Sequence, residues 1–299
     1  MHAYKAFNIN ENGQLQCRDF IYEEGQTYEM SENIGLCKRG FHACLDWYDC
    51  QYYYNLIDSN VTLHHVELLG KIIKDPSKVV TNKIKIGKAF TPEDLGYLEN
   101  DPYLGKCLFI KYIASKNRTD PAITSFINDK DWHVRAAVAA YGTDEMRLQL
   151  IHDRDWHVRA AVAENGTDEM RLQLIHDEDW CVRRTVVERG NDETHLQLLN
   201  DANELVRATI AQYGNDEMRL RLIHDNDWHV RAAVAKYGTD EMRLRLIYDR
   251  DWYVRAAVAE YGTDKMRLQL LNDESAYVHN LAFNLLKKKS APKTSYNNK

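Results

Sequence analysis

The chain has 299 residues, which is long enough for two domains. Of these residues 44% are apolar and 28% are charged, a balance typical of soluble globular proteins. Its formal net charge of −6 gives no general attraction to nucleic acids or to anionic membranes. No apolar run approaches the roughly 18 residues of a membrane span, and the N-terminus has no apolar signal core. The six cysteines include no C-x-x-C pair, so we expect reduced thiols in the cytoplasm and neither a metal nor a cofactor.

The first 90 residues predict a small α+β domain of unknown function. The segments "YKAFNI", "VTLHHVELL" and "KIKIGKAF" are typical of strands, whereas "LDWYDCQYYYNLI" favours a helix. Residues 91–107, "TPEDLGYLENDPYLGKC", follow this domain. They predict a linker or a capping segment before the rest of the chain.

Four residues of this domain carry potentially reactive side chains: Cys37, His42, Cys44 and Cys50. They are compatible with a metal set, with a nucleophile and its base, or with a buried structural cluster. We favour the structural cluster, because the sequence offers no further residue that would complete a catalytic or metal site.

Three motifs of this domain, "YKAF", "CRDF" and "LCKRGFHACLDWYDC", resemble an uncharacterised domain of phage and bacterial proteins that precedes varied repeats. The resemblance implies a protein related to phages or mobile elements. A Gly-Phe-aromatic turn followed by a helix and a strand is also similar to ADP-ribosyltransferase-like folds, which would imply an enzyme here. The chain has neither their Ser-Thr-Ser strand nor their catalytic Glu motif, so we predict no catalytic residues.

A 24-residue repeat fills most of the remaining chain. The phrase "DWHVRAAVA" begins at Asp131, Asp155 and Asp227, and Glu204 occupies the one place in the row where tryptophan is missing. A degenerate copy opens the array near residue 108 and "AYVHNLAFNLLKKK" closes it, which gives seven units and a truncated eighth. A fixed period of this length is typical of a solenoid, in which each unit buries its apolar face against its neighbours.

Each unit predicts two short helices. In one unit Asp131 caps the first helix, Gly142 ends it in the left-handed conformation, and Thr143 caps the second helix. The apolar positions that we expect in the core of this unit are Val134, Ala137, Val138, Met146, Leu148, Leu150 and Ile151. Helices this short are unstable alone, so we expect the stack to stabilise them.

The pattern D-x-x-x-V-R-x-x-V-A-x-x-G-x-x-x-x-x-L-x-x-L-x-x-D resembles the leucine-rich repeat variant, a HEAT-like family with a 24-residue unit. Over residues 108–286 the resemblance implies a right-handed superhelix of short α or 3₁₀ helices. The founding member of the family carries an iron–sulphur cluster on a cysteine motif that this chain lacks, so we expect no cluster. The predicted fold is therefore mostly α: a small α+β domain, a right-handed α-solenoid, and a basic disordered tail at 287–299.

Two columns of the repeat that hardly change carry opposite charges. Arginine recurs in the column of Arg135 and aspartate in the column of Asp153, and we expect charge-assisted hydrogen bonds between units. Other columns mix both signs of charge from copy to copy, so no continuous basic stripe exists for binding phosphates.

A third column begins most units with tryptophan, followed by histidine or another variable residue. Its rings either cover the preceding turn or contact a partner, since aromatic residues dominate binding hot spots. Packed helices lie roughly 8–10 Å apart, which is too far for one histidine column to share a metal ion. The candidate partner-binding residues are Trp132, His133, Trp156, His157, Trp180, Trp228, His229, Trp252 and Tyr253.

These observations favour a non-catalytic binding or adaptor protein whose repeats present an extended surface to a protein partner. A HEAT-like solenoid that binds nucleic acid is the alternative, although the charge balance disfavours it. An ADP-ribosyltransferase-like enzyme in the N-terminal domain is the third hypothesis.

Overall fold

The computed structural model describes residues 1–31, 33–36, 38–56, 58, 60–75, 78–91 and 104–290, without the side chains of Tyr48, Lys289 and Ser290. The chain divides into two compact units, Met1–Met146 and Arg147–Lys299. None of the described helices is long and apolar enough to cross a membrane.

The first unit begins with an antiparallel sheet. Its strands are β1 (His2–Ile9), β2 (Leu15–Cys17), β3 (Phe20–Tyr22), β4 (Thr27–Glu29), β5 (Phe41–Cys44), β6 (Val61–Leu68), β7 (Ile72–Lys74), β8 (Lys78–Thr81) and β9 (Lys83–Ala89). They are ordered β4-β9-β6-β1-β5-β8-β7, and the β2–β3 hairpin pairs with the end of β1. The three predicted strands are confirmed as β1, β6 and β9. The helix predicted in this domain is only a 3₁₀ helix, Tyr48–Tyr52.

The sheet is buried on both faces, because β1 contributes apolar residues to a cluster on each side of it. One cluster contains Phe7, Tyr22 and Ile84, and the other contains Cys44, Cys50 and Leu63. Such two-sided burial is typical of a central strand. It also places Cys44 and Cys50 in the core, as predicted, whereas Cys37 lies outside the described residues.

Helices α1 (Leu104–Lys116), α2 (Pro121–Thr124) and α3 (Trp132–Tyr141) complete the first unit. Lys111 of α1 donates hydrogen bonds to the carbonyl oxygens of Leu56, Asp58 and Val61 at 3.2, 2.6 and 2.6 Å. Burial lowers the pKa of Lys111 to about 8. The first repeat therefore packs on the sheet, and this compact unit continues well beyond the predicted domain boundary at residue 90.

Ten-residue and seven-residue helices alternate along the rest of the array, and a 15-residue helix closes it. Their bounds are α4 (Asp144–Leu150), α5 (Trp156–Asn165), α6 (Asp168–Leu174), α7 (Trp180–Arg189), α8 (Asp192–Leu198), α9 (Glu204–Tyr213), α10 (Asp216–Leu222), α11 (Trp228–Tyr237), α12 (Asp240–Leu246), α13 (Trp252–Tyr261), α14 (Asp264–Leu270) and α15 (Ala276–Ser290). In the second unit each ten-residue helix packs against the next one, with a fully buried valine such as Val206 or Val230 between them. The predicted repeat solenoid is confirmed.

Two details of the predicted unit are wrong. Gly142 has φ −72° and ψ −169°, which is extended rather than left-handed. A Cβ on it would lie 2.6 Å from the carbonyl oxygen of Val138 and 2.7 Å from Sδ of Met146. Glycine is therefore required by the close approach of the next helix and not by the sign of φ.

The second error concerns Leu148, which we expected in the core and which is exposed, as are four of its five equivalents, Leu196, Leu220, Leu244 and Leu268; Leu172 is half-buried. Leu244 is flanked two residues away by buried Met242 and Leu246. Two residues correspond to about 200° of helix rotation, so this leucine points away from the stack.

The C-terminal helix is longer than expected. It continues to Ser290, so residues 287–290 are helical rather than disordered, whereas residues 291–299 of the predicted tail lie outside the described residues. Residues 92–103 of the predicted linker also lie outside them, and its last four residues belong to α1.

Candidate functional site

The arginine and aspartate columns form a repeated clamp. Nε and Nη2 of Arg159 donate to the two carboxylate oxygens of Asp177 at 2.6 and 2.9 Å, and Nη1 donates to the carbonyl oxygen of Asp153 at 2.8 Å. Asp177 also accepts the N–H of Asp179, the cap of α7, at 2.9 Å. The same bidentate pair recurs in Arg183–Asp201, Arg207–Asp225, Arg231–Asp249 and Arg255–Asp273. The carboxylate pair lies within one unit, whereas the bond from Arg159 to the carbonyl oxygen of Asp153 and the bond from the N–H of Asp179 to Asp177 connect consecutive units. The predicted bonds between units and to helix ends are therefore confirmed, and the buried columns stabilise the fold.

The clamp decides the charge state of its carboxylates. Burial raises the pKa of Asp225, but hydrogen bonds from Arg207 and from the N–H of Asp227 outweigh it and leave the pKa below its usual value. The pKa values of Asp249 and Asp273 are lowered in the same way by Arg231 and Arg255. These aspartates are therefore ionised at neutral pH, as the clamp requires.

The starts of three ten-residue helices, α3, α5 and α11, position a histidine ring in the same way. Asp155 caps α5 by accepting the N–H of His157 at 3.0 Å, and the same oxygen lies 2.9 Å from Nδ1 of the His157 ring. Nδ1 must carry the proton for this second bond to form. The ring consequently lies flat on Trp156, with ring centroids 3.6 Å apart. His133 on Trp132 and His229 on Trp228 repeat this stack at the same distance.

Five rings of the second unit form a continuous series that we call the aromatic row. They follow each other in the order His229, Trp228, Tyr253, Trp252 and Tyr277, with successive centroid distances of 3.6, 4.6, 3.8 and 5.2 Å. The side chains are surface groups, because Trp252, Tyr253 and Tyr277 are 36%, 48% and 59% exposed. The rings therefore pack against each other and face solvent together.

The structure brings some of the predicted site residues together and leaves others apart. Four of the nine, Trp228, His229, Trp252 and Tyr253, belong to the aromatic row. His157 is stacked on Trp156, and in the first unit His133 is stacked on Trp132. Trp180 is followed by Cys181, and in the described part of the chain no ring stacks on it. Glu204 and Leu205 occupy the next equivalent places, so the column is interrupted there.

Tyr277 and the exposed leucines are not among the residues predicted from the sequence for the surface. Tyr277 lies 24 residues after Tyr253, so the period of the repeat already placed it in the same column. The apolar pattern alone assigns every apolar residue of the short helices to the core. Met242 and Leu244 are two residues apart, however, and residues at this spacing cannot lie on the same face of a helix.

The reactive residues of the N-terminal sheet that the structure describes are His42, Cys44 and Cys50. Within the residues that the structure describes, no group of three histidine, cysteine or acidic residues is placed to hold a metal ion. Burial, together with the charge of Lys5, lowers the pKa of His42. Hydrogen bonding between the two thiols lowers the pKa of Cys44 and, with burial, raises that of Cys50. Both are free thiols.

The chain is similar to known proteins in two separate regions. Residues 1–97 match a family described only as a domain of unknown function, DUF7666, and no curated protein matches the chain. Among solved structures, a leucine-rich repeat variant with a novel repetitive structural motif is 27% identical and covers 64% of this chain and 80% of its own, with a TM-score of 0.51.

Two designed armadillo repeat proteins are more distant. YIII(Dq)4CqI is 18% identical with a TM-score of 0.24, and a second design, in complex with the peptide (KR)4, is 19% identical with a TM-score of 0.21. Each covers 56% of this chain and 98% of its own. The similarity in sequence and fold to the leucine-rich repeat variant supports the resemblance that the repeat pattern indicated.

Proposed function

We propose that the repeat array is a non-catalytic binding surface that holds a partner protein through the aromatic row. The observation that carries this proposal is the row itself: five rings from three successive units lie side by side at the surface. Large amphipathic rings dominate the energy of protein interfaces, because they bury much area and still offer polar groups.

The row is also rigid before any partner arrives. Asp227 fixes the His229 ring through its Nδ1 at 2.9 Å. The rings of Trp228, Tyr253 and Trp252 are stacked in series, and Tyr277 contacts Trp252 edge-on. Binding then immobilises few additional rotamers, which lowers the entropic cost of association. A preorganised aromatic surface is the kind of site that a protein partner uses best.

Protein is a better partner for this row than nucleic acid. Bases stack on aromatic rings as well, but a carboxylate caps the helices that carry the row, at Asp227 and Asp251. These charges would repel phosphates next to the rings, and phosphate contacts supply most of the affinity of nucleic-acid binding.

The wider assignment of the protein rests on the sequence motifs. We assign it to the cytoplasm, and the free thiols at Cys17, Cys44, Cys50 and Cys181 support a reducing compartment. We assign it an adaptor role in a phage or mobile-element system, which the "YKAF" and "GFHAC" motifs suggest and which identification of the partner would test.

The test is a pull-down from host lysate followed by affinity measurement on the purified partner. Tyr253→Leu is the informative variant, because Leu205 already occupies the equivalent position of another unit and the substitution therefore suits the fold. Cys181→Leu is the matched control at the same repeat position outside the row. We expect Tyr253→Leu to weaken binding at least tenfold and Cys181→Leu to leave it unchanged. A folded Tyr253→Leu protein with undiminished affinity would refute the proposal. A complex whose affinity falls steeply as the salt concentration rises would indicate that the partner is a nucleic acid.

A further inference from the structure

Three sequence motifs that the repeat array does not use converge on one cavity of the N-terminal sheet. The cavity measures about 540 Å³, within the range of about 300–1,000 Å³ that is usual for small-molecule sites. Its lining includes Tyr4, Lys5 and Ala6 of "YKAF", all four residues of "CRDF", and all five residues of "GFHAC". These segments are distant in sequence, and β1, the β2–β3 hairpin and β5 bring them together.

A buried ammonium group lies in this cavity. Lys5 is 6% exposed, and its Nζ donates to the carbonyl oxygen of His42 at 2.8 Å and contacts Sγ of Cys17 at 3.5 Å. Two of its three N–H groups are thereby used. Among the described residues no carboxylate lies within salt-bridge distance of Nζ. A buried cation without a counter-ion is costly, and an anion bound in the cavity would remove that cost.

The mouth of the cavity is also basic. Arg18, Lys38 and Lys78 line it together with Lys5, against one described carboxylate, that of Asp19. Arg18 has φ +54° and is the one described residue other than glycine with positive φ. Its carbonyl oxygen accepts a hydrogen bond from Nε2 of Gln16 at 2.8 Å. In a chain of net charge −6, this local excess of positive charge is specific to the cavity and favours anions.

The walls are aromatic. Phe20, Tyr22, Phe41, Tyr53 and Tyr54 line the cavity, and Phe20 and Tyr53 are each 52% exposed. Tyr54 donates to Sγ of Cys17 at 3.2 Å, which fixes its hydroxyl beside Lys5. Rings that enclose a polar centre are typical of pockets for ligands with a flat apolar body and one charged group.

We propose that this cavity binds a small organic anion, with its carboxylate or phosphate group at Lys5 and an apolar, planar body between the aromatic walls. The site is independent of the aromatic row, so it stands whether or not the repeats bind a protein. The buried lysine supplies charge and hydrogen bonds, Arg18 attracts the anion at the mouth, and the rings contact its body.

A pair of fluorescent probes tests the proposal on the full chain. Anilinonaphthalene sulfonate carries an anion on a planar body, and N-phenylnaphthylamine is a closely related neutral molecule. Lys5→Met should lower the affinity for the sulfonate probe at least tenfold and change the affinity for the neutral probe by less than twofold, because only the charge contact is lost. Arg18→Gln should weaken the sulfonate probe by a smaller factor. Lys85→Gln, an exposed cation on β9, is the control and should change nothing.

Alkylation of cysteines shows where the sulfonate probe binds. Cys17 lines the cavity and Cys181 lies in the repeats, and both are half-buried. The sulfonate probe should slow iodoacetamide labelling of Cys17 and leave Cys181 unaffected. Displacement of the probe by benzoate identifies a carboxylate site and displacement by phenyl phosphate identifies a phosphate site.

Three outcomes would overturn the proposal. The folded Lys5→Met protein could bind the sulfonate probe as tightly as the wild type, or it could lose affinity for both probes equally. The third outcome is that neither benzoate nor phenyl phosphate displaces the sulfonate probe at millimolar concentration. Thermal melts establish whether the variant is folded, and Arg18→Gln, which changes an exposed turn residue, provides a second test if Lys5→Met does not fold.

Discussion

Arg231 and Asp249 form a bidentate ion pair in which Nε lies 2.7 Å from Oδ2 and Nη2 lies 2.9 Å from Oδ1. Both side chains are less than one-tenth exposed. Arg231 and Asp249 lie at the two ends of one unit. Nη1 of Arg231 also donates to the carbonyl oxygen of Asp225 in the preceding unit at 2.8 Å, and Asp249 accepts the N–H of Asp251, the cap of the next ten-residue helix, at 2.9 Å. The pair is therefore tied to both neighbouring units. The same pair recurs in five units, so a substitution in it tests which contacts stabilise the solenoid.

Asp249→Ala should lower the free energy of unfolding by about 3–5 kcal/mol, because it leaves the Arg231 guanidinium buried without its counter-ion. Glu241→Ala is the control, since Glu241 forms an exposed pair with Arg245 at 2.8 Å and should change stability by about 0.5 kcal/mol or less. Denaturant unfolding measures both. Similar effects of the two substitutions would contradict a structural role for the buried pair.

Acid should destabilise the repeat array. The pKa values of Asp225, Asp249 and Asp273 are lower in the folded protein than in the unfolded chain, so the unfolded chain binds more protons as pH falls. The stabilisation is therefore complete above the usual aspartate pKa of about 4 and is lost as pH falls through the lower folded values. We expect melting temperatures of the repeats to change little from pH 7 to pH 5 as far as these groups are concerned and to fall below pH 4.

Circular dichroism melts at each pH measure this effect. Arg231→Met with Asp249→Leu removes one pair completely and should make the acid sensitivity smaller than in the wild type. An undiminished pH dependence in that double variant would show that other groups cause it.

The repeat could be predicted from the sequence because its period, core valines and charged columns are local and recur. The conformation of Gly142 could not, because glycine suits both a left-handed cap and a close contact, and only the position of Met146 distinguishes them. The aromatic row was predicted only as a column. Stacking between Trp228 and Tyr253 depends on rotamers set by neighbouring units, which no single unit encodes. The cavity around Lys5 depends on the pairing of distant strands and was not predicted.

The glycine column gives a test that separates the two explanations of its role. A left-handed cap would accept asparagine, but a Cβ at Gly238 would lie 2.6 Å from the carbonyl oxygen of Val234 and 2.7 Å from Sδ of Met242. Gly238→Asn and Gly238→Ala should therefore both destabilise the protein, by about 1–3 kcal/mol as for other overpacked sites. Thermal or denaturant unfolding would show it, and a stable Gly238→Asn protein beside a destabilised Gly238→Ala protein would restore the left-handed interpretation.

One unit of the array departs from the others at His195, and reversing this departure should stabilise the protein. Nε2 of His195 lies 2.8 Å from the carbonyl oxygen of Val187, but its buried Nδ1 has no hydrogen-bond partner and lies 3.9 Å from Asp192. The equivalent Arg243 makes three bonds, to the carbonyl oxygens of Ala235 and Lys236 and to the carboxylate of Asp240, at 2.8, 3.1 and 2.8 Å.

His195→Arg should therefore raise the free energy of unfolding by about 0.5–2 kcal/mol, as substitutions toward a consensus residue commonly do. The physical reason is that the guanidinium can reach the carbonyl oxygens of Val187 and Glu188 and the carboxylate of Asp192, which occupy the places of the three acceptors around Arg243. The reverse change, Arg243→His, should remove two of the three bonds and lower stability. Denaturant unfolding of both variants decides the matter: if neither changes stability, or if both change it in the same direction, the arginine column does not stabilise its units by these bonds.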